Sequence, residues 1–231
     1  MPFPLAPSSE DLWQVDEAAG AVTVLALPHT DMFIDPVSGA PGTDAGPAVN
    51  AESLLNAATL LGHAPEGDFQ LSARVTVGFA ATFDAGVLLL WLDDQHWGKL
   101  CFELSPAGEP MVVSVVCRGV SDDANAFRVT GRSVWLRISR IDRAYAYHAS
   151  LDGQSWQMIR VFVLSDEGTS LDMIGFEGQS PTGDGCSATF DEVRFLPERL
   201  ADLRDGSLRL TPAGPRRVWT ILGRPRWAGP E

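Results

Sequence analysis

The alternation of apolar and polar residues over 86–93 and 97–104 constrains this chain more than any other feature. Side chains on a strand point to opposite faces in turn. Read as strands, these stretches put Leu88, Leu90, Leu92, Leu100, Phe102 and Leu104 on one face. Trp91, Asp93, Trp97, Lys99, Cys101 and Glu103 fall on the other. The first face predicts a core. The second, with two indoles and three kinds of charged side chain, predicts a binding surface.

Similar signals recur at short intervals, each bounded by Gly, Pro, Asp or Asn. Strands are predicted over 21–27, 53–61, 68–78, 86–93, 97–104, 111–118, 133–141, 144–151, 156–164, 171–177 and 188–195. Long helical periodicity is absent; 197–204 is read as one or two helical turns. So many short strands predict an all-β fold, a jelly-roll sandwich of two antiparallel sheets, with a barrel as the alternative. Asp152-Gly153 is a hairpin signal, and Ile141-Asp142-Arg143-Ala144 reads as a tight hairpin without the usual glycine. A loop is expected over 28–50, a length often associated with function. Residues 1–205 read as the sandwich domain and 206–231 as an extension containing Pro, Arg and Trp.

The net charge of −13 argues against nucleic acid, whose binding rests on neutralising phosphates. The charge is uneven: residues 199–231 carry seven Arg against three acids, net +4, leaving −17 for the rest. No apolar run is long enough for a membrane helix, and Met1-Pro2-Phe3-Pro4-Leu5-Ala6-Pro7 lacks a secretory pattern. Three cysteines without metal-type spacing suggest reduced thiols and a cytoplasmic location. In a hairpin turning near Ala107, Cys101 and Cys117 would lie on opposite faces, which predicts no disulfide between them.

Four strings occur together in order: Trp97-Gly98-Lys99-Leu100-Cys101-Phe102-Glu103, Arg118-Gly119-Val120-Ser121-Asp122-Asp123, Ser150-Leu151-Asp152-Gly153-Gln154-Ser155-Trp156, and Ile174-Gly175-Phe176-Glu177-Gly178-Gln179-Ser180-Pro181-Thr182-Gly183-Asp184-Gly185-Cys186. On these the chain resembles, over roughly residues 10–205, the uncharacterised family labelled regulation of enolase, with a concanavalin A-like lectin/glucanase fold. The resemblance implies a jelly roll of two curved antiparallel sheets. It carries no settled chemistry, and a shared fold does not transfer function.

Carrying the parity through three hairpins pairs Trp91 with Lys99, Asp93 with Trp97, Cys101 with Ser114, Trp97 with Arg118, Arg137 with His148, and Trp135 with Ser150. One surface would then gather Trp91, Asp93, Trp97, Lys99, Glu103, Ser114, Arg118, Trp135, Arg137 and His148. Indole faces stack on a pyranose ring, while carboxylates and guanidinium groups bond its hydroxyls. The expected ligand is therefore a carbohydrate or similar small polyhydroxy molecule. The competing reading is a cross-strand charge ladder with tryptophans packed under a loop.

His148 near Glu103 is a candidate general base, set against a structural role. Asp93-Asp94 and Asp122-Asp123 are weighed as calcium ligands and read instead as turn formers; no cofactor is expected. Cys101 is read as a small filler rather than a nucleophile. The loop 180–185 lacks the Lys and helix of a phosphate cradle and is read, with Gln179, as a groove rim. Catalytic residues are not assigned. The alternatives to binding are a glycoside hydrolase and a cytosolic regulator acting through a protein partner. For hydrolysis, Asp93 and Glu103 are expected too far apart, and Glu177 would partner Glu103 only if their strands adjoin.

Overall fold

The computed structural model describes residues 1–37, 53–165, 173–208, 216–221 and 225–228. Two antiparallel sheets face each other. The front sheet runs, in spatial order, β1 (Ala6–Pro7), β6 (Ala58–His63), β15 (Met173–Gln179), β8 (Ala85–Asp93), β9 (His96–Leu104), β10 (Pro110–Arg118) and β11 (Ser121–Arg128). The back sheet runs β14 (Gln157–Phe162), β13 (Ala144–Ser150), β12 (Ser133–Ile141), β7 (Phe69–Val77), β16 (Cys186–Leu196), β17 (Arg216–Trp219) and β18 (Pro225–Ala228). On the same sheet β3 (Ala21–Ala26) pairs with β16 and with β2 (Trp13–Asp16). A separate two-residue ribbon joins β4 (Met32–Phe33) to β5 (Leu54–Leu55). This is the predicted all-β jelly-roll sandwich.

The expected core face is buried between the two sheets. Leu88, Leu90, Leu100 and Phe102 meet Leu71, Val75, Leu136 and Ile138 of the back sheet in one cluster. At Gly98 the Tyr147 hydroxyl occupies the space a Cβ would need, so this strand position cannot carry a side chain without displacing it. The helical turns expected over 197–204 are absent; the segment is a series of bends and turns, with Asp202 Oδ1 accepting from the Arg204 and Asp205 amides. The 28–50 loop is described to residue 37, and that part contains β4; the remainder of the predicted loop lies outside the described residues. Of the strand expected over 171–177, residues 171–172 lie outside the described residues and the remainder falls in β15. No helix among the described residues is long and apolar enough to cross a membrane.

The opposite face of the front sheet is also covered. Val87, Leu89, Trp97, Cys101, Val113, Val115 and Cys117 form a second buried layer with Met32, Ile34 and Ala57. The front sheet is thus apolar on both sides, which accounts for the near-continuous apolar run of β8. This second layer frames the pocket described next.

Candidate functional site

Strand register decides which predicted residues meet. The first hairpin is tighter than expected and carries an irregularity between Trp91 and Asp93. It pairs Trp91 with Trp97 and Leu89 with Lys99. Trp91, Trp97, Lys99 and Glu103 remain on one face, as predicted, but Asp93 ends in the exposed turn, accepting from the Gln95 amide and His96 Nδ1.

The second hairpin differs from expectation by one residue. It pairs Cys101 with Val113 and Ser114 with Leu100, and a one-residue slip turns a whole strand over. Ser114 therefore points with Leu100 toward the core side, buried, and Arg118 sits exposed opposite His96. Cys101 and Cys117 share a face, contrary to the parity argument. Their pairing to Val113 and Trp97 places them four residues apart along the ribbon, and all three cysteines are free and buried. Burial pushes the Cys101 thiol well above its ordinary range, which suits packing and not nucleophilic attack.

The third hairpin matches expectation, pairing Arg137 with His148 and Trp135 with Ser150. It belongs to the back sheet, however, and these residues alternate with core-facing Val134, Leu136 and Ile138. Trp135, Arg137 and His148 therefore lie across the whole sandwich from Trp97. The single predicted surface divides into two.

On the back face, Arg137 stacks 4.1 Å from the Trp156 ring and donates to the Gly206 carbonyl at 2.8 Å. His148 Nε2 lies 2.7 Å from the Leu203 carbonyl, which makes that nitrogen the protonated one. Burial, aided by the neighbouring Arg137, lowers the imidazole to about 4, so it stays neutral. The 200–208 segment straps this cluster shut. His148 cannot serve as a base for Glu103 on the other sheet.

On the front face, the second layer opens into a cavity of about 330 Å³. Its walls include Asp31, Phe33, Leu54, Phe83, Lys99 and Glu103, with Asp123, Gln179 and Thr182 beside them. Lys99 is 2% exposed and donates to Asp31 Oδ1 at 3.0 Å and to Gln179 Oε1 at 2.8 Å. Burial works against its charge, but Asp31 and Glu177 outweigh it and hold its pKa above the ordinary value. Gln179 in turn donates to the Phe83 carbonyl at 3.2 Å.

Glu103 faces this cavity with no hydrogen bond or ion pair to it among the described residues. Burial pushes its carboxyl up to about 8. Glu177 lies on the same sheet face, fully buried, with both oxygens unpartnered among the described residues and a carboxyl pushed up to about 7 by burial. Its strand does not adjoin that of Glu103: β8 runs between them, with Ala85 opposite both Glu103 and Gln179. Among the described residues no His, Cys, Asp or Glu side chains converge in threes as metal ligands; Asp122 pairs with Arg160.

Asp31, Phe33, Phe83 and Asp123 are cavity residues that no sequence pattern marks as site residues, although Asp31 and Phe33 fall within the long 28–50 loop. From Gln179 and the 180–185 loop, the expected groove rim, Gln179, Pro181 and Thr182 line the cavity.

Phe83 offers a direct test. Its φ of 69° is left-handed, a conformation that costs a non-glycine residue of order 1–3 kcal/mol. His29, also on the cavity wall, has φ 56°. Phe83→Gly is expected to leave unfolding free energy within about 1 kcal/mol of the parent, since relieved strain offsets added chain entropy. Chemical denaturation checks this; a much larger loss would make Phe83 a packing residue.

Fold and site together define a jelly-roll β-sandwich with a half-enclosed pocket on the outer face of one sheet. The chain belongs to the family described as protein of unknown function (DUF1349), which matches residues 9–198. It is 28% identical to Regulation of enolase protein 1 of Saccharomyces cerevisiae over 127 residues, 54% of this chain and 62% of that relative, so under two thirds of the relative is spanned. A crystal structure of a functionally unknown protein from Saccharomyces cerevisiae matches with TM-score 0.67 at 22% identity, covering 84% of this chain and 95% of that one. A GH43 protein from Bacillus licheniformis matches with TM-score 0.61 at 12% identity, covering 81% of this chain and 35% of that one. These likenesses concern the fold.

Proposed function

We propose that the protein is a non-catalytic binding module for a small carbohydrate or similar polyhydroxy molecule, held in the front-sheet cavity. The observation that carries this reading is Glu103, a cavity-facing carboxyl that no neighbour satisfies. Glu103 is half-buried, so its oxygens stay within reach of a molecule in the cavity, and a ligand hydroxyl or amine would supply the partner that the protein does not. Phe33 and Phe83 provide apolar walls for a ring face, and Asp123, Gln179 and Thr182 provide polar edges. A cavity of about 330 Å³ is at the small end of the range for ligand sites.

The reading predicts a separation between stability and binding. Glu103→Ala is expected to melt at or above the parent temperature while losing at least tenfold in affinity for the ligand. Saturation-transfer NMR across a broad panel of mono- and disaccharides, followed by titration of whatever binds, checks this. No binding anywhere in the panel would sink the proposal, as would unaltered binding by the variant.

One observation favours a hydrolase as the second reading: a carboxyl raised to about 8 retains its proton at neutral pH, as a general acid must. A screen of aryl glycosides and polysaccharides decides it. Turnover abolished by Glu103→Gln would replace the binding module with an enzyme.

A further inference from the structure

Carboxyls outnumber basic side chains in the cavity lining. Lys99 spends its bonds on Asp31 and Gln179, and the Lys99–Asp31 pair is neutral as a unit. Asp31 Oδ1 also accepts from the Met32 amide at 2.6 Å. The Gln179 amide is engaged at both ends. That leaves Glu103 in the cavity and Asp123 at its rim, neither with an ion-pair partner among the described residues. Behind them Glu177 is 0% exposed and lacks any hydrogen bond among the described residues.

Among the described lining residues the cationic side chains are Lys99, committed to Asp31, and His29, whose Nδ1 lies 3.3 Å from the Pro181 carbonyl; an arriving cation can displace the proton of Glu103 and pair with it, whereas an anion finds no uncommitted lysine or arginine there. Two phenyl rings, Phe33 and Phe83, share the cavity wall, and aromatic faces also favour a cation. The mixture of apolar wall, amide and carboxylates still suits hydroxyls. We infer that the pocket selects a ligand carrying a protonated amine beside its hydroxyl groups, an amino sugar or amino polyol, with the ammonium paired to Glu103. This rests on the binding-module reading and names its ligand class. On binding, Glu103 gives up the proton it holds in the empty cavity, so association releases a proton to solvent near neutral pH.

The test uses matched sets on the full chain at pH 7: the neutral, 2-amino and uronic forms of glucose, galactose and mannose, titrated by calorimetry in two buffers of different ionisation heat. The amino form of the preferred ring should bind at least tenfold tighter than its neutral counterpart, and the uronate weakest. The observed heat should change with buffer in the sense of proton release. Glu103→Gln should bring the amino-to-neutral ratio close to one. If neutral forms bind as tightly as amino forms, the amine inference falls while the binding module stands. If none of the nine binds but other neutral glycans do, the amine inference again falls. If no sugar of any kind binds, both fall.

Discussion

Trp97→Ala should lower the unfolding free energy by about 3–5 kcal/mol, the usual cost of removing a buried tryptophan side chain. On sequence grounds Trp97 resembled an exposed stacking platform. In the structure it is 0% exposed and sits in the second layer with Val113, Val115 and Cys117. Its removal leaves a cavity between sheet and covering segment that nothing nearby can fill without moving the ribbon. Equilibrium denaturation followed by far-ultraviolet circular dichroism measures the loss. A variant within about 0.5 kcal/mol of the parent, the range typical of surface changes, would show that this layer is no core.

Lys99→Met is expected to be comparably severe and, unlike Trp97→Ala, dependent on pH. Removing one partner of a buried ion pair costs about 3–5 kcal/mol because the other charge is stranded. Asp31 would lose its ion-pair partner, and Glu103 and Glu177 the nearby positive charge that restrains the rise of their carboxyls. The sign follows from proton binding. In the parent, Glu103 and Glu177 are raised from an ordinary 4.5 to about 8 and about 7. The native state therefore holds protons that the unfolded chain has released above about 4.5, and these two groups make stability fall between about pH 5 and 8. Without Lys99 both carboxyls rise further. The stability gap between parent and variant should widen as pH climbs from 5 to 8. Denaturation at both pH values checks it; a gap that is constant or narrows would mean that Lys99 acts through packing alone. The single variant Glu177→Gln serves as a control and should flatten the slope of the parent.

What the sequence revealed, and what it hid, has a physical basis. The Asp142-Arg143 turn is short and its flanks alternate cleanly, so the register of Arg137 against His148 was legible. The leucines of β8 and β9 marked the inner face for the same reason. The facing of strand β10, expected over 111–118, was not legible, because Val112-Val113-Ser114-Val115-Val116 is apolar on both faces. Alternation carries no signal in a strand covered on both sides, and the loop from Ser105 to Glu109 left the parity to be guessed. The slip moved Ser114 and Arg118 away from the site. Strand β11, Ser121–Arg128, was overlooked because it is a polar edge strand with almost no apolar pattern. The assignment of Trp135, Arg137 and His148 to the wrong face had a different cause. Local pattern says which way a side chain points from its ribbon, but only the long-range pairing of β12 with β7 says which sheet the ribbon joins. The pocket itself combines Lys99 and Glu103 from a strand with Asp31, Phe33 and Phe83 from connections, and no spacing rule links them.

Lys99 and Glu103 stand on a ribbon locked by neighbours on both sides, whereas Phe33 and Leu54 reach the same cavity from a two-residue ribbon outside the sandwich. Met32 and Ile34, on either side of Phe33, are keyed into the layer over Trp97, so this canopy is pinned at its buried residues and free only at those that look inward to the void. Exchanging the half-buried Phe33 and Leu54 should therefore reshape the void while the pins, and the thermal tolerance they confer, stay in place.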